Sequence, residues 1–270
     1  MNKKINIYKN RKEKLNIENP KKVSVVIPNY NYQDFITERI DSILMQTYPI
    51  YELIILDDCS TDNSVKVIEN KIKDIKDIKV RFIKNEKNSG CVFKQWKKAF
   101  EIAEGDYIWI AEADDSAENN FVEEVIKGFD DKNVVISYCE SARIDENNML
   151  IREKSDDLYD MCRTGEWNSN YTKDGKDEII EHLSVTNTIL NVSSVMWKKQ
   201  DYSEILEKAT EFKVAGDWYI YYNALRNGKI AWNSKPLNYY RKHSKSVCTT
   251  VKADVEFKEI CTVFIENTPP

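Results

Sequence analysis

Glycine is scarce in this chain of 270 residues, which contains seven glycines. A dinucleotide-binding loop needs G-x-G-x-x-G after the first strand, but the first predicted strand is followed by PNYNYQDF. A Walker loop needs a glycine five residues before its Gly-Lys pair. Asn170 holds that place before Gly175, and Asp177 stands where Ser or Thr is required. These absences exclude a phosphate cradle built from glycine-rich backbone.

Clustered thiols and long apolar runs are missing as well. The six cysteines include no C-x-x-C pair and the chain has two histidines, so zinc-type ligand spacing is absent. No apolar run approaches the ~20 residues that cross a bilayer, and residues 1–22 lack the apolar centre of a signal peptide. The sequence therefore predicts a cytoplasmic protein with reduced thiols.

Positive charge is not in excess, because 40 Lys and Arg face 45 Asp and Glu, for a net charge of −5. This balance excludes a globally basic surface, and we expect no nucleic-acid partner. Residues 1–21 are basic and polar, which is typical of a solvated N-terminal tail. The alternative is a patch that makes peripheral contact with an anionic membrane.

The chain does contain a regular alternation of β-branched apolar runs and segments with helical periodicity. Predicted strands cover residues 23–28, 51–58, 80–84 and 106–112, with helices between them. The predicted fold class is α/β, with a single Rossmann-like, mostly parallel central sheet flanked by helices.

The second half of the predicted domain, which spans residues 22–247, is less regular than the first. The polar, turn-rich stretch 155–177 is expected to be a mobile loop and a candidate lid that orders when ligand binds. Residues 248–270 form a predicted C-terminal helical segment.

Carboxylates crowd the stretch AEADDSAENN at residues 111–120, where Glu112, Asp114 and Asp115 follow the fourth strand. Sheets of this kind bind ligands beyond the carboxyl ends of their strands. A carboxylate about 4 Å from a bare diphosphate opposes binding by about 4 kcal/mol at an effective dielectric of 20, whereas a bridging Mg²⁺ or Mn²⁺ reverses the sign. The alternative is that these carboxylates cap a helix that starts near Asn119. Both interpretations stay open on these residues alone.

Several motifs then coincide in one order, namely VSVVIPNYNYQDF from residue 23, LDDCSTDNS from residue 56, NSG from residue 88 and GDYIWIAEADD from residue 105. Together they resemble the family 2 inverting glycosyltransferases of the A-type nucleotide-diphospho-sugar fold. The resemblance implies a nucleotide-binding half at 22–130 and an acceptor-binding half at 131–247. It also implies a divalent cation, Mn²⁺ or Mg²⁺, and a donor of the UDP-sugar or dTDP-sugar type. The implied acceptor is a saccharide or lipid-linked saccharide, used in bacterial surface polysaccharide synthesis at the inner face of the cell membrane.

The resemblance also assigns roles to individual residues. It places Pro28, Asn29 and Tyr30 around the nucleotide base, Asp58 at the pyrimidine ring, Asp114 at the ribose, Asp115 on the metal, and His243, assisted by Arg241, at the metal or diphosphate. The alternatives are packing at the strand end for Tyr30, loop capping through Ser60 and Thr61 for Asp57 and Asp58, and a surface position for His243.

Asp217, in AGDWYI, matches the family's catalytic carboxylate, which takes a proton from the acceptor. The alternative is that it caps the helix that begins there. This sequence departs from the family at two places. Gly216 stands where relatives often have Glu, and Gln95 and Trp96 replace an Arg-Asn pair, so Lys94 is expected to supply the missing charge.

Flat aromatic faces suit sugar rings, and the second half offers four candidate platforms: Trp167, Tyr171, Trp197 and Trp218. Core packing is the favoured interpretation for Trp197 and for most aromatic residues of the Asp217 helix. A nucleotidyltransferase is disfavoured, because PNYNYQDF lacks a glycine-rich, basic signature. The alternative function is a catalytically degenerate protein that binds nucleotide or carbohydrate, or that scaffolds other enzymes.

Overall fold

The computed structural model describes residues 4–5, 13–155, 165–244 and 251–267. These residues contain a central sheet of ten strands. The strands are β1 (Val23–Asn29), β2 (Glu52–Asp57), β3 (Lys79–Lys84), β4 (Tyr107–Ile110), β5 (Ser116–Ala117), β6 (Val134–Asp145), β7 (Leu150–Arg152), β8 (Tyr171–Asp174), β9 (Val195–Lys198) and β10 (Lys229–Lys242). Their order in the sheet is β3-β2-β1-β4-β9-β6-β10-β5, with β7 beside β6 and β8 beside β10.

Helices cover the faces of this sheet. The α-helices are α1 (Ile36–Leu44), α2 (Ser64–Ile72), α3 (Val92–Ile102), α4 (Phe121–Val125), α5 (Gly175–Glu178), α6 (Ser203–Ala209), α7 (Gly216–Leu225) and α8 (Ala253–Asn267). A π-helical turn, Ile179–Leu183, continues α5, and short 3₁₀ turns lie at Ile126–Asp130, Glu166–Asn168 and Val192–Ser194. Within the described ranges, no helix has both the length and the apolar character needed to cross a membrane.

The first half of the chain forms the parallel part of the sheet. Strand β1 pairs in parallel with β2 and with β4, and β2 pairs in parallel with β3. All seven residues of β1 are buried, as its continuous β-branched run predicts for a strand covered on both faces. Val25 and Ile27 pack toward α1 and α4, whereas Val26 packs toward α3 and α7. The predicted α/β fold with a central sheet between helices is therefore confirmed.

The second half adds strands of both directions. Strand β9 lies antiparallel between β4 and β6, while the long strand β10 runs parallel to β6 and antiparallel to β5 and β8. The sheet is thus parallel at the β3 end and mixed toward β5. The acidic stretch that follows β4 lies where the two halves meet.

The stretch 155–177 differs from the expected loop. Residues 171–174 form β8, which pairs with β10, and the Asp174 side chain caps α5 by accepting a hydrogen bond from Lys176 N. Strand β8 is short and its side chains alternate between partly buried and exposed, so its composition is polar although its backbone is paired. The prediction of a continuous loop is wrong for this part, and residues 156–164 lie outside the described residues.

Three of the four aromatic platforms belong to the core. Trp167, Trp197 and Trp218 are 4%, 0% and 5% exposed. Trp197 stacks on Tyr221 with ring centroids 5.3 Å apart, and Trp218 Nε1 donates to the Leu183 carbonyl. Rings buried in this way cannot offer a face to a sugar, so the favoured core-packing interpretation is confirmed for Trp197 and Trp218, and the platform hypothesis is wrong for Trp167.

The described parts of the N-terminal segment contact the domain. Lys4 forms a β-bridge with Met149, and Leu15 N donates to the Thr47 carbonyl. Residues 1–3 and 6–12 of the predicted tail are outside the described residues, and the boundary at residue 21 stays a prediction.

Candidate active site

The loops after β1 and β2 are bonded to each other. Asn29 Nδ2 donates to Asp57 Oδ1 over 2.7 Å, and Asp57 also accepts from Ser60 N at 2.9 Å and Ser60 Oγ at 2.6 Å. Asn31 and Cys59 have φ values of +61° and +62°, so each loop reverses sharply just after its strand. The loop-capping alternative describes Asp57 well, because its carboxylate is used to hold these two turns together.

Asp58 binds the loop that follows β3. It accepts hydrogen bonds from Asn85 Nδ2 at 2.7 Å, from Gln95 Nε2 at 2.9 Å, and from Ser89 N and Oγ at 3.0 and 2.7 Å. A carboxylate has about four acceptor positions, and these donors take up that capacity. Asp58 therefore fixes the geometry of the cavity wall, and Gln95, which stands at a family departure, is one of its partners.

A cavity of about 520 Å³ opens beyond the carboxyl ends of β1 and β2. Its lining includes Pro28, Asn29, Tyr30 and Asp58, together with Asn88 and Gly90 from the loop after β3 and Glu112 after β4. Tyr30 is 44% exposed, so it is not packed into the strand end. The volume lies within the range of about 300–1,000 Å³ found for small-molecule sites.

The carboxylates that follow β4 point to separate partners. Glu112 Oε1 accepts from Trp96 Nε1 at 3.0 Å, and Asp114 Oδ2 lies 2.9 Å from His243 Nε2. Among the described residues, α4 begins at Phe121 without a side-chain cap. The helix-capping interpretation of the acidic stretch is therefore wrong.

Asp115 is the most enclosed of the three. Its Oδ1 accepts from Arg241 N and its Oδ2 from Asn191 Nδ2, both at 2.9 Å, and the residue is 2% exposed. Arg241 is itself buried and donates from Nε to the Asp114 carbonyl over 2.6 Å. Asp115 and Arg241 thus brace the acidic loop against β10, while Asp114 stays partly exposed on the cavity side.

Carboxyl groups outnumber basic side chains in this cluster. Burial, reinforced by the neighbouring Asp114 carboxylate, raises the pKa of Glu112 to about 8 and that of Asp115 to about 6. Two buried guanidinium groups lie near the cluster: that of Arg241 and that of Arg39, which lies over the Trp109 ring at 5.0 Å. The side-chain nitrogens of Arg39 make no hydrogen bond within the described parts of the chain, and burial lowers its pKa to about 10. Arg241 is already paired with Glu38, whose Oε1 lies 2.6 Å from its Nη2, so these two guanidinium groups face four carboxyl groups.

These residues fit a hard divalent cation. Carboxylate oxygens and one imidazole nitrogen are donors that Mn²⁺ accepts well, and Mg²⁺ takes one or two carboxylates together with substrate phosphates. His243 is 8% exposed and packs against Phe35 with ring centroids 5.0 Å apart, so the surface-histidine alternative is wrong. Of the two aspartates, Asp114 is the better placed for direct coordination, since it is the one that meets His243.

A tighter set of donors lies elsewhere in the described chain, where ligand atoms of Glu166, Glu181 and His182 come within 4.8 Å of one another. Lys173 Nζ already lies among them, 2.6 Å from Glu166, 2.9 Å from Glu181 and 3.1 Å from His182. The ammonium supplies the positive charge there, so this set is a structural ion cluster.

Asp217 lies at the start of α7 and lines a second cavity of about 150 Å³ with Glu112, Asp114 and Asp115. Its Oδ1 accepts from Trp218 N at 2.6 Å, and Asn187 Nδ2 lies 3.4 Å from its Oδ2. Burial raises the pKa of Asp217 to about 7. A carboxyl group with this pKa can exchange a proton near neutral pH.

Packing against Phe93 explains why residue 216 is a glycine. A Cβ atom built there would lie 2.6 Å from Cε2 of Phe93 on α3, closer than real contacts allow. A side chain at position 216 would therefore require the Phe93 ring, which lines the cavity wall, to move.

Two cavity residues were not expected from the sequence. Lys213 lines both cavities, and no motif points to it. Trp96 lines the smaller cavity and holds Glu112; its place in a family motif was the only available signal. Lys94, the expected source of positive charge, is exposed and donates to the Ser89 carbonyl at 3.3 Å.

A sheet that is parallel at its β3 end, with a nucleotide-sized cavity beyond its first two strands and an acidic cluster after its fourth, has the arrangement in which open α/β sheets bind ligands. Residues 24–196 match the model of glycosyl transferase family 2, and the chain belongs to this family. The predicted family is therefore confirmed.

Individual relatives match parts of the chain. Glycosyltransferase GlyG of Streptococcus pneumoniae is 31% identical over 126 residues, which cover 47% of this chain and 41% of GlyG. The poly(ribitol-phosphate) beta-N-acetylglucosaminyltransferase TarS of Staphylococcus aureus is 35% identical over 96 residues, which cover 35% of this chain and 16% of TarS. The matches thus span less than half of these relatives' own lengths.

Solved structures show the same fold. TarS residues 1–349 in complex with UDP-GlcNAc superpose with a TM-score of 0.68 and 20% identity, over 91% of this chain and 66% of that one. The mannosyltransferase PcManGT of Pyrobaculum calidifontis, solved with GDP-Man and Mn²⁺, has a TM-score of 0.61 and 17% identity, over 84% of this chain and 59% of that one. At these identities the likeness establishes the fold.

Proposed function

We propose that this chain is a metal-dependent, inverting glycosyltransferase that moves a sugar from a nucleotide-diphosphate donor to an acceptor hydroxyl. The observation that carries the proposal is that Asp217 shares one small cavity with the acidic cluster. That cavity and the larger one share four residues in their walls: Tyr32, Val92, Glu112 and Lys213. The proposed proton acceptor, the proposed cation ligands and a nucleotide-sized space therefore adjoin one another.

The donor's nucleoside belongs in the larger cavity, with its base near Pro28, Asn29 and Tyr30. Tyr30 supports this placement because its ring is exposed at the cavity wall and can stack on a base. Asp58 supports the nucleotide site by fixing the loop after β3. It can accept a hydrogen bond from the base directly only if one of its present donors, such as Asn85 or Gln95, moves away. The solved complex of TarS with UDP-GlcNAc supports a donor of the UDP type, and dTDP shares the pyrimidine ring.

Asp115, the expected metal ligand, uses both oxygens in hydrogen bonds, so we assign the cation to His243 and to Asp114, which was expected at the ribose, with Asp115 behind them. When bound, Mn²⁺ or Mg²⁺ supplies charge stabilisation to the leaving diphosphate. The 2.9 Å approach of Asp114 Oδ2 to His243 Nε2 supports this assignment, as does the solved complex of PcManGT with GDP-Man and Mn²⁺. Lys213 brings a further positive charge to the same walls.

Asp217 takes the proton from the acceptor hydroxyl as the new glycosidic bond forms. The oxygen attacks the anomeric carbon from the face opposite the departing diphosphate, so the configuration inverts. General base catalysis of this kind contributes about 10²- to 10⁴-fold to the rate. The acceptor class that we propose is a saccharide or lipid-linked saccharide of a bacterial surface polysaccharide, in line with the poly(ribitol-phosphate) named for TarS. An acceptor of that class would bring the protein to the inner membrane surface.

The test is a screen of UDP- and dTDP-sugars with Mn²⁺ that measures released nucleoside diphosphate, repeated with Asp217→Asn. We expect the substitution to lower kcat by at least 10²-fold while donor affinity changes less than threefold, because the amide keeps the shape but cannot accept the proton. Asp177→Asn is the matched control, since Asp177 is exposed and lines neither cavity. Wild-type turnover in the Asp217→Asn variant would show that Asp217 is not the general base. Donor binding without turnover by the wild type would favour the non-catalytic alternative.

A further inference from the structure

The C-terminal helix α8 touches the start of the helix that carries Asp217. The Glu259 carboxylate on α8 accepts hydrogen bonds from three consecutive backbone amides, those of Lys213 at 2.7 Å, Val214 at 2.9 Å and Ala215 at 3.0 Å. The bonds join positions 44 to 46 residues apart in the chain, so they exist only when α8 is docked.

Backbone N–H groups at a helix start lack partners within the helix. Ala215 is the residue that precedes α7, and its own side chain can make no cap. Glu259 supplies the missing acceptor from another element. Hydrogen bonds to an ionised carboxylate are roughly twice as strong as those between neutral groups, and a negative charge is favourable at a helix N-terminus.

Two of the three residues bound in this way line the site, and the third lies just before Asp217. Lys213 lines both cavities, Val214 lines the smaller one, and Asp217 follows two residues after Ala215. A shift of this turn would therefore move Lys213 and the carboxylate of Asp217 together.

Other contacts also hold α8 against α7. Val263 is fully buried, and the Phe264 ring packs edge-on against Trp218 with centroids 5.2 Å apart. Val251, just before α8, lines the larger cavity. The C-terminal segment thus contributes packing, cavity wall and the three hydrogen bonds of Glu259.

We propose that Glu259 is a positioning residue for the transfer reaction: by holding the amides of residues 213–215, it sets the place of Lys213 and Asp217, so that the site is complete only with α8 docked. This inference rests on the proposed function for its kinetic part. Its structural part, the dependence of the 213–215 turn on Glu259, stands independently.

The experiment compares Glu259→Gln with Glu266→Gln in the full chain. Glutamine is similar in size but presents an amide group to one of the donors, so at least one bond is replaced by a clash of N–H groups. Glu266 lies on the same helix and forms a surface ion pair with Lys208 at 3.2 Å, which makes it the matched control. Amide hydrogen exchange at residues 213–215, UDP affinity with Mn²⁺, and kcat and KM are measured for each.

We expect exchange at residues 213–215 to quicken at least tenfold in the Glu259 variant and kcat to fall about 10- to 100-fold, with a smaller rise in KM, because misplacing a catalytic group lowers the rate more than it weakens donor binding. The Glu266 variant should match the wild type. Equal behaviour of the two variants, or rapid exchange of these amides in the wild type, would overturn the proposal.

Two further outcomes are covered. If Glu259→Gln fails to fold, Glu259→Asp keeps the charge on a shorter side chain, and it should lose kcat while circular dichroism shows an intact fold; a wild-type kcat in that variant contradicts the proposal. If the wild type transfers sugar from none of the donors, the proposed function fails, whereas the exchange comparison still decides whether Glu259 holds the turn.

Discussion

At the residue scale, the environment of each carboxyl group separates side chains that look alike in the sequence. Asp57 and Asp58 adjoin each other, yet one bonds the loop after β1 and the other bonds the loop after β3. Asp114 and Asp115 are likewise neighbours, and only Asp114 meets His243. Local sequence does not report which way a side chain turns at the end of a strand, because the partners come from distant segments.

The pH dependence of kcat/KM should follow the ionisation of Asp217, the proposed general base. Burial raises the pKa of Asp217 to about 7. The fraction of Asp217 that is ionised, and so can accept a proton, therefore decreases as the pH drops below 7. We expect kcat/KM to drop about tenfold between pH 8 and pH 6 and about 100-fold by pH 5, with a plateau above pH 8. The measurement is initial rate against pH at low donor concentration.

Donor affinity over the same pH range is the control for this profile, because Glu112 and Asp115 have pKa values raised to about 8 and about 6. If the loss of kcat/KM at low pH is fully explained by weaker donor binding, or if kcat/KM stays constant down to pH 5, Asp217 is not the base.

At the scale of elements, the approach of α7 to α3 is set by a glycine. A Cβ at Gly216 would meet the Phe93 ring at 2.6 Å, and overpacking of this kind costs about 1–3 kcal/mol. We expect Gly216→Ala to lower the free energy of unfolding by that amount and to reduce turnover, since Phe93 and Asp217 line the same cavity. Chemical denaturation and steady-state kinetics measure the two effects.

Phe93→Leu provides the matching test, because it removes ring atoms that the new methyl group would meet. The double variant should lose less stability than the sum of the two single losses, as expected for residues in contact. Strict additivity would mean that the ring is not what excludes a side chain at Gly216.

Elements with strong periodicity were predictable. The β-branched runs of β1 and β2 and the apolar spacing of α1 identify these elements directly, since burial on both faces or on one stripe dictates the pattern. Strand β8 was missed because a polar edge strand carries no such pattern, and its pairing comes from β10, more than fifty residues away in the chain.

At the scale of the whole molecule, ligand binding should stabilise the fold. A ligand that binds only the native state adds about 2.7 kcal/mol at 100 times its Kd, which corresponds to a rise in Tm of roughly 5–10 °C for a domain of this size. We expect UDP with Mn²⁺ to give a shift in this range, and UDP with a chelator to give a smaller one. Differential scanning fluorimetry measures both.

Asp114→Asn is the control variant for the cation, because the amide keeps the cavity but weakens coordination. It should retain the shift caused by UDP and lose the increment caused by Mn²⁺. An equal shift with and without Mn²⁺ in the wild type would argue against a cation at this site.

The sequence by itself determined the α/β class, the positions of the parallel strands, the family, and the set of carboxylates to consider, because all of these depend on short-range patterns and on motif order. Only the tertiary structure decided which carboxylate faces a cavity, that His243 meets Asp114, that Lys213 reaches the site, and that Glu259 holds the turn before Asp217. Those relations join residues far apart in the chain, and the energies that fix them arise from burial and from hydrogen bonds that form only when the sheet and its helices are assembled.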